Sequence, residues 1–329
     1  MIKIEIFILG SAAATPIKNR NLSAIALRYK NQILLFDCGE DFQRRFAEAG
    51  LKFNKPCLIL ITHFHGDHII GLPGFLFRLS LIERTAPLTI FGPQNLFLYI
   101  YLHKKILGLK AKYPIKIVEI DHINKDLIEF EGLDTEVPKD TVKIKDNLIY
   151  KSKYFSIRFA LVNHSITTYA YSFIENPRYG KFNPERAKEL GIPESRTWKK
   201  LQEGLEIEFN GKIINPVKEG IVGPKRPGRK ITYSGDLAPS DSLIELGKDS
   251  DVLIHEATYS KILAEIAKEK KHSTSVDAAL DAKKMNAKQL ILTHISARYQ
   301  DDALKLLEEA KEIFPNTILA EDLLRIELK

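Results

Sequence analysis

The stretch Ile61-Thr-His-Phe-His-Gly-Asp-His-Ile-Ile-Gly-Leu-Pro-Gly74 sets His63, His65, Asp67 and His68 within six positions, directly after the apolar run Cys57-Leu-Ile-Leu-Ile61. A run of that length and composition reads as a strand covered on both faces. On its extended continuation His63 and His65 point to one side, and Asp67 and His68 follow as the chain turns into Ile69-Ile70-Gly71-Leu72. One pair of imidazoles can then serve one metal, and a carboxylate-imidazole pair a second. A lone histidine at a strand end reads best as a hydrogen-bonded structural residue. Four such groups in six residues, buried without a cation, would repel one another or go unsatisfied, at roughly several kcal/mol. Imidazole with carboxylate suits zinc and also accommodates manganese or iron.

The same arrangement recurs along the chain. Ile157-Arg-Phe-Ala-Leu-Val162 precedes Asn163-His164, Lys230-Ile-Thr-Tyr233 precedes Ser234-Gly235-Asp236, Asp251-Val-Leu-Ile254 precedes His255-Glu256, and Gln289-Leu-Ile-Leu292 precedes Thr293-His294. In sheets with both faces covered, sites form where strand ends converge. Helical spacing of apolar and charged residues marks Asp41 to Ala49, Ser275 to Met285 and Asp301 to Ile313. The order is mixed α/β, with neither heptads nor solenoid repeats. Of the nine histidines, His103 and His122 lie outside these stretches and read as ordinary surface or satisfied residues. Residues 123–153, rich in Lys, Asp, Glu and Ile, read as short strands joined by exposed loops. Residues 175–228 carry Pro177, Pro184, Pro193, Pro216, Pro224 and Pro227 around one helical pattern at Pro184 to Leu190 and the single Trp198. They read as an excursion from the core.

At 329 residues and 44% hydrophobic, the chain can bury a core as one large α/β domain or two small ones. A net charge of +7 permits a polyanionic partner without requiring one, and excludes a purely electrostatic nucleic-acid binder. The opening Met1-Ile-Lys-Ile-Glu-Ile6 alternates as a strand does, which favours a first strand over a signal peptide. No apolar run approaches the roughly 18 residues a membrane span needs. Two cysteines, Cys38 and Cys57, make no disulfide framework and read as small core residues of a protein of the reducing cytoplasm.

Thr62-His-Phe-His-Gly-Asp-His68 resembles the HxHxDH signature of the metallo-β-lactamase superfamily, and its continuation Gly71-Leu-Pro-Gly74 resembles the ribonuclease Z branch, which removes 3′ trailers from precursor tRNA. The similarity extends to Leu9-Gly-Ser-Ala-Ala-Ala-Thr15, to Phe36-Asp-Cys-Gly-Glu40, and to Asn163-His-Ser165. It continues through Tyr233-Ser-Gly-Asp236, His255-Glu-Ala-Thr-Tyr259, His272-Ser-Thr274 and Thr293-His-Ile-Ser-Ala-Arg-Tyr299. The resemblance implies a four-layered αββα sandwich, an α/β fold of one domain over residues 1–329, with a flexible tRNA-binding arm inserted at about 175–215. It implies two zinc ions per subunit, one held by His63, His65 and His164 and the other by Asp67, His68 and His294, with Asp236 bridging them; manganese or iron is an alternative.

The implied reaction is in-line attack on the scissile phosphorus by a hydroxide shared between the metals, its proton accepted or oriented by Asp67. His272, oriented by Glu256, would protonate the leaving 3′-oxygen, giving a 3′-hydroxyl tRNA and a 5′-phosphorylated trailer. The bland reading of His272 is a residue at the start of a helix capped by its neighbours Ser273 and Thr274. His255 reads as supporting. Ser296 and Arg298 can reach a phosphate oxygen, and Lys199 and Lys200 belong to a basic stripe of the arm suited to RNA; a surface salt-bridge role for Arg298 and a solvated helix for the stripe explain the same charges. Gly223 to Lys230 is a second basic loop. In the arm, Ile192-Pro-Glu-Ser-Arg-Thr197 stands where the family pattern leads one to expect a Gly-Pro pair. A homodimer is implied as well. The competing readings are a hydrolase of a small phosphodiester or ester on the same metal ligands, and a non-catalytic RNA-binding protein, against which the full ligand set argues.

Overall fold

The computed structural model describes residues 3–328. By internal packing the chain divides into two compact units: residues up to Tyr150 with Ile157–Phe173 and everything from Ile231 onward, and a second unit of Lys151–Ser156 with Ile174–Lys230.

The larger unit is built on two sheets. One has nine strands, in the order Arg325–Leu328, Ile4–Gly10, Ala24–Tyr29, Gln32–Phe36, Cys57–Leu60, Leu88–Pro93, Ile115–Asp121, Asp126–Glu131 and Asp140–Lys143. Its middle is parallel, Gln32–Phe36 pairing with Cys57–Leu60, then Leu88–Pro93, then Ile115–Asp121. The other runs Leu148–Lys151, Phe155–Val162, Thr168–Glu175, Lys230–Tyr233, Val252–Glu256, Leu290–Thr293 and Thr317–Leu319, and its last four strands are parallel. Ile4–Gly10 is wholly buried, as a first strand should be.

The sheets pack face to face through large aromatics. Phe36 meets Tyr171 and Tyr233, and Tyr29 meets Phe173. The outer face of the first sheet is covered by helices Phe42–Glu48, Gly71–Leu81 and Leu96–Leu107, with Phe42, Phe46, Phe75 and Ile100 in one apolar cluster. Asp241–Gly247, Ser275–Lys284 and Leu304–Lys311 cover the second around Leu243, Ala278, Ala282 and Leu306. Helix, sheet, sheet, helix is the four-layered sandwich. Strands buried from both sides need continuous apolar runs, which is why Cys57–Leu60 and Leu290–Thr293 lack alternation. Cys38 and Cys57 are buried and free.

Residues 123–153 hold the strands Asp126–Glu131, Asp140–Lys143 and Leu148–Lys151, Asp140–Lys143 being an exposed sheet edge. The second unit has a core of its own: Ala187, Ile192, Leu201, Ile207 and Ile221, with Phe182, Trp198 and Phe209 packed against them. Beyond the expected helix, here Pro184–Glu189 capped by Asn183, there is another, Arg196–Gln202, capped by Ser195, whose hydroxyl accepts the Thr197 N–H. Trp198 Nε1–H donates to the Ile192 carbonyl at 3.1 Å, tying this helix to the loop before it.

Candidate metal centre

Every residue of the centre lies in the larger unit, at the C-terminal end of a strand or just beyond it. Cys57–Leu60 leads to His63, after which the short helix Gly66–Ile69 carries Asp67 and His68. The chain reaches this turn because Gly71 and Gly39 touch backbone to backbone. A Cβ on Gly71 would lie 2.0 Å from the Gly39 carbonyl oxygen, and the Gly71 N–H donates to Cys38 at 2.9 Å. Lys230–Tyr233 leads through Gly235, at φ 61°, to Asp236, and Ala238 N–H donates to Asn163, which brings the His164 loop alongside. His294 ends Leu290–Thr293 at φ 57°, a left-handed conformation that a buried histidine keeps only when its surroundings enforce it.

These ends converge on two quartets that share Asp236: His63, His65, His164 and Asp236, and Asp67, His68, His294 and Asp236. In the first, His65 Nδ1 lies 3.1 Å from His63 Nε2 and 3.2 Å from His164 Nε2, and His63 Nε2 lies 3.7 Å from Asp236 Oδ2. In the second, His294 Nε2 is 3.2 Å from Asp67 Oδ2, 3.2 Å from Asp236 Oδ2 and 3.3 Å from His68 Nε2. Ligands about 2.0–2.2 Å from a tetrahedral ion sit roughly 3.3–3.5 Å apart, so both quartets have the spacing of atoms that share a cation.

The outward-facing nitrogens settle what the inner ones carry. His63 Nδ1 is 2.9 Å from the Thr62 hydroxyl, whose proton goes to Asp37, so Nδ1–H donates and Nε2 is bare. His68 Nδ1 donates to Asp37 at 2.7 Å and His164 Nδ1 to the Lys271 carbonyl at 2.8 Å. His294 Nδ1 donates to Thr258 Oγ1 at 2.8 Å, since that hydroxyl gives its proton to Glu256. Neutral, these four imidazoles and the two carboxylates therefore turn only lone pairs toward one another, and Asp236 Oδ1 is buried without a partner. A donor set of this kind fits cations.

The electrostatics agree. Burial pushes His63, His65 and His164 toward the neutral form that binds metal. Burial works against the Asp236 carboxylate, but His294, His68 and His63 outweigh it and hold its pKa well below the usual range. Burial likewise opposes the Asp67 charge, and the neighbouring His294 and His68 outweigh it, holding its pKa below the usual carboxylate range. His68 is driven well above its ordinary value, against burial, by Asp236 and Asp37.

Beside the quartets, His272 Nδ1–H donates to Glu256 Oε1 at 2.9 Å, and Nδ1 lies 4.0 Å from Asp236. Burial opposes the charge on both groups. The Glu256 carboxylate nevertheless lifts His272 to about 9, and His272 lowers Glu256. Glu256 also accepts the Leu237 N–H and the Thr258 hydroxyl. With His294 this pair makes a third possible metal triplet, but the Glu256 oxygens already hold protein hydrogens, which leaves the two quartets as the better cation sites. Thr274 caps Ser275–Lys284 in a capping box with Asp277, so His272 stands just before a firmly started helix.

His255 is buried and turned away: Nδ1 donates to the Glu256 carbonyl and Nε2 lies 3.5 Å from Asp281. Arg298 lies over the Tyr259 ring, which lines a cleft with His65, His164 and His272, and Ser296 is half-buried two residues after His294. Lys199 and Lys200 are exposed on Arg196–Gln202 of the second unit. Asp37 escaped sequence reasoning. Its buried carboxylate takes hydrogen bonds from the Thr62 N–H and hydroxyl, His68 and Tyr233, orienting the motif from behind. Its signal was a carboxylate ending a strand, Gln32–Phe36, next to the one that leads to His63.

A family model described as Anti-Pycsar protein Apyc1 matches residues 4–173, the half of the chain that holds His63 to His164. The metallo-beta-lactamase fold protein YhfI from Bacillus subtilis shares the fold, with a TM-score of 0.64 at 17% identity over 100% of both chains. Human tRNase Z, short form, superposes with a TM-score of 0.65 at 26% identity, covering 98% of each chain. Ribonuclease Z of Nitrosopumilus maritimus (strain SCM1) is 40% identical over 99% of this chain and 100% of its own. That of Methanosarcina mazei is 37% identical over 99% and 98%. Matches of this extent span nearly the whole chain, well beyond the first motif, and the chain belongs to the ribonuclease Z family of metallo-β-lactamase-fold proteins.

Proposed function

We propose that the protein is an endoribonuclease that removes the 3′ trailer of precursor tRNA, using His63, His65, His164 and Asp236 for one zinc ion and Asp67, His68, His294 and Asp236 for a second. The observation that carries this reading is the pair of quartets sharing one carboxylate, with a histidine-carboxylate pair 4.0 Å away. Two bound dications would supply a nucleophile at neutral pH and offset charge on the phosphoryl oxygens.

The protein groups do the rest. Asp67, whose Oδ2 accepts the Ala14 N–H at 2.7 Å, would take or orient the proton of the attacking water. Glu256 holds His272 through Nδ1, so Nε2–H is the proton offered to the departing 3′-oxygen. The trailer keeps the phosphate. Arg298, over the ring of the cleft residue Tyr259, and Ser296 would meet a flanking phosphate, and Lys199, Lys200 and the loop Gly223 to Lys230 would give the second unit cationic contacts for an RNA backbone.

A second copy of the chain is the partner we assign to helix Leu96–Leu107, which leaves Leu98, Leu102 and Ile106 exposed at i, i+4 and i+8. Sedimentation of wild type against Leu102→Glu/Ile106→Glu tests it, a monomer being expected for the variant. Two buried thiols suit the cytoplasm, where precursor tRNA is made; among the described residues no helix is long and apolar enough to cross a membrane.

The substrate test compares cleavage of a 3′-extended tRNA with hydrolysis of bis(p-nitrophenyl) phosphate, in wild type and in Lys199→Glu/Lys200→Glu. Charge reversal is preferable to deleting the arm, because removal of Ala187, Ile192 and Leu201 would open the second unit's core. The variant should raise KM for the precursor several-fold and leave the small diester alone. Hydrolysis of the diester with an untouched precursor would move the protein to the small-phosphodiester reading.

A further inference from the structure

The quartets and the His272 pair account for the chemistry but not for a cavity of about 320 Å³ next to them, lined by Phe64, Gln94, Asn95, His122, Thr167 and Tyr169 among others. We infer that this cavity holds the base of the first trailer nucleotide, the one whose 5′-phosphate the reaction frees. The inference rests on the proposed trailer-removing activity and adds a subsite to it.

Two of the segments that build the cavity also carry residues of the metal centre. Phe64 stands between His63 and His65, Thr167 follows His164 by three residues, and the Tyr169 N–H donates to the Thr62 carbonyl at 3.0 Å. A nucleotide whose phosphate lies among the quartets therefore finds this cavity on segments that also carry metal-centre residues. Phe64 supplies a half-buried aromatic wall, held against Tyr99 with ring centres 6.1 Å apart. Flexible single-stranded RNA is gripped through such walls, because every base has a face to stack.

The polar groups around the cavity suit base edges. Tyr169 gives its hydroxyl proton to the Ile120 carbonyl, so it accepts from His122 Nδ1–H and leaves His122 Nε2 as a bare acceptor. Gln94 and Asn95 are exposed, and their amides can each present a donor or an acceptor. Their turn is set by Asn95 at φ 76° and by buried Glu119, which accepts the Phe97 N–H at 2.9 Å. One fixed acceptor with two adaptable amides accommodates any of the four bases, as a site for trailers of varied sequence must.

The polarity follows from the two cavities. His272 lines one cleft with His65, His164, Lys270 and Lys271, and none of these residues lines the Phe64 cavity. The 3′-oxygen of the tRNA body departs toward His272, which assigns the body to that cleft and leaves the Phe64 cavity for the trailer.

The test is single-turnover cleavage of precursors carrying an abasic residue at the first or at the second trailer position, by wild type, Phe64→Leu and Gln94→Ala. In wild type the first-position lesion should lower kcat/KM roughly ten-fold or more, as loss of one stacked base does, and the second-position lesion much less. The first-position penalty should shrink to a few-fold in Phe64→Leu and diminish in Gln94→Ala, whatever each variant's own rate. Equal penalties at both positions, or an undiminished first-position penalty in both variants, overturn the subsite while trailer removal stands. Failure of wild type to cut the unmodified precursor overturns the proposed activity and the subsite with it.

Discussion

Replacing Asp37 by asparagine exchanges one buried oxygen for an NH2 group, and the surroundings dictate where that group goes. Oδ1 accepts the Thr62 backbone N–H at 2.8 Å, a donor that cannot turn away. The amide nitrogen must therefore take the place of Oδ2, which now accepts from His68 Nδ1 at 2.7 Å and from the Tyr233 hydroxyl at 3.0 Å. The hydroxyl can rotate. The imidazole can answer only by moving its proton to Nε2, and Nε2 is the atom aimed at Asp236 and His294. Asparagine tolerates the φ of 59° at this position at least as well as aspartate, so the backbone is not a confounding factor. Loss of a buried acceptor should destabilise the metal-free protein by about 1–3 kcal/mol. Loss of the partner that orients a ligand should weaken metal binding roughly 10- to 100-fold. Zinc titration against a competing chelator, with thermal unfolding of the metal-free form, measures both. Wild-type affinity at every site in a folded Asp37→Asn protein would refute the orienting role.

Removing the His272 proton should slow precursor cleavage by about 10²–10⁴-fold in His272→Ala and by a lesser factor in Glu256→Gln. The effect on bis(p-nitrophenyl) phosphate, whose leaving group needs no proton, should be much smaller; equal losses on both substrates would argue against an acid role. Gly71→Ala places a methyl group against the Gly39 backbone, so denaturant unfolding should show a loss of about 3 kcal/mol or more, and a fully stable variant would mean that the motif turn can shift. The Glu5 carboxylate is held below its ordinary value of 4.5 by hydrogen bonding to Arg28, against the effect of burial and with help from Arg325. The stability it contributes is complete above that ordinary value and is lost as the pH falls through the lowered one. Glu5→Gln should therefore be less stable than wild type at pH 7, with the difference closing in acid; a pH-independent difference would contradict the linkage.

The histidine-aspartate cluster was legible in the sequence because each of its residues ends or follows a short apolar run, and because the first four lie within six residues, where spacing alone sets geometry. Asp37 was not, since its value depends on the parallel pairing of Phe36 with Leu60, a contact that no local pattern announces. His122 read as an ordinary residue, and its link to Tyr169 spans 47 positions. The helix Arg196–Gln202 was hidden by the prolines around it, although Ser195 is a good cap and Trp198, Leu201 and Gln202 follow at helical spacing. The layers were easier to read, because strands covered on both faces must be apolar throughout.

The most direct test of the proposed activity is to map the ends of both products after the metal-loaded wild-type protein has acted on a 3′-extended precursor tRNA. A tRNA body ending in a 3′-hydroxyl and a trailer beginning with a 5′-phosphate are expected if, as proposed, His272 protonates the 3′-oxygen and the phosphate stays with the trailer. A body ending in a 3′-phosphate or a cyclic phosphate, or an intact precursor under conditions in which bis(p-nitrophenyl) phosphate is hydrolysed, would contradict it.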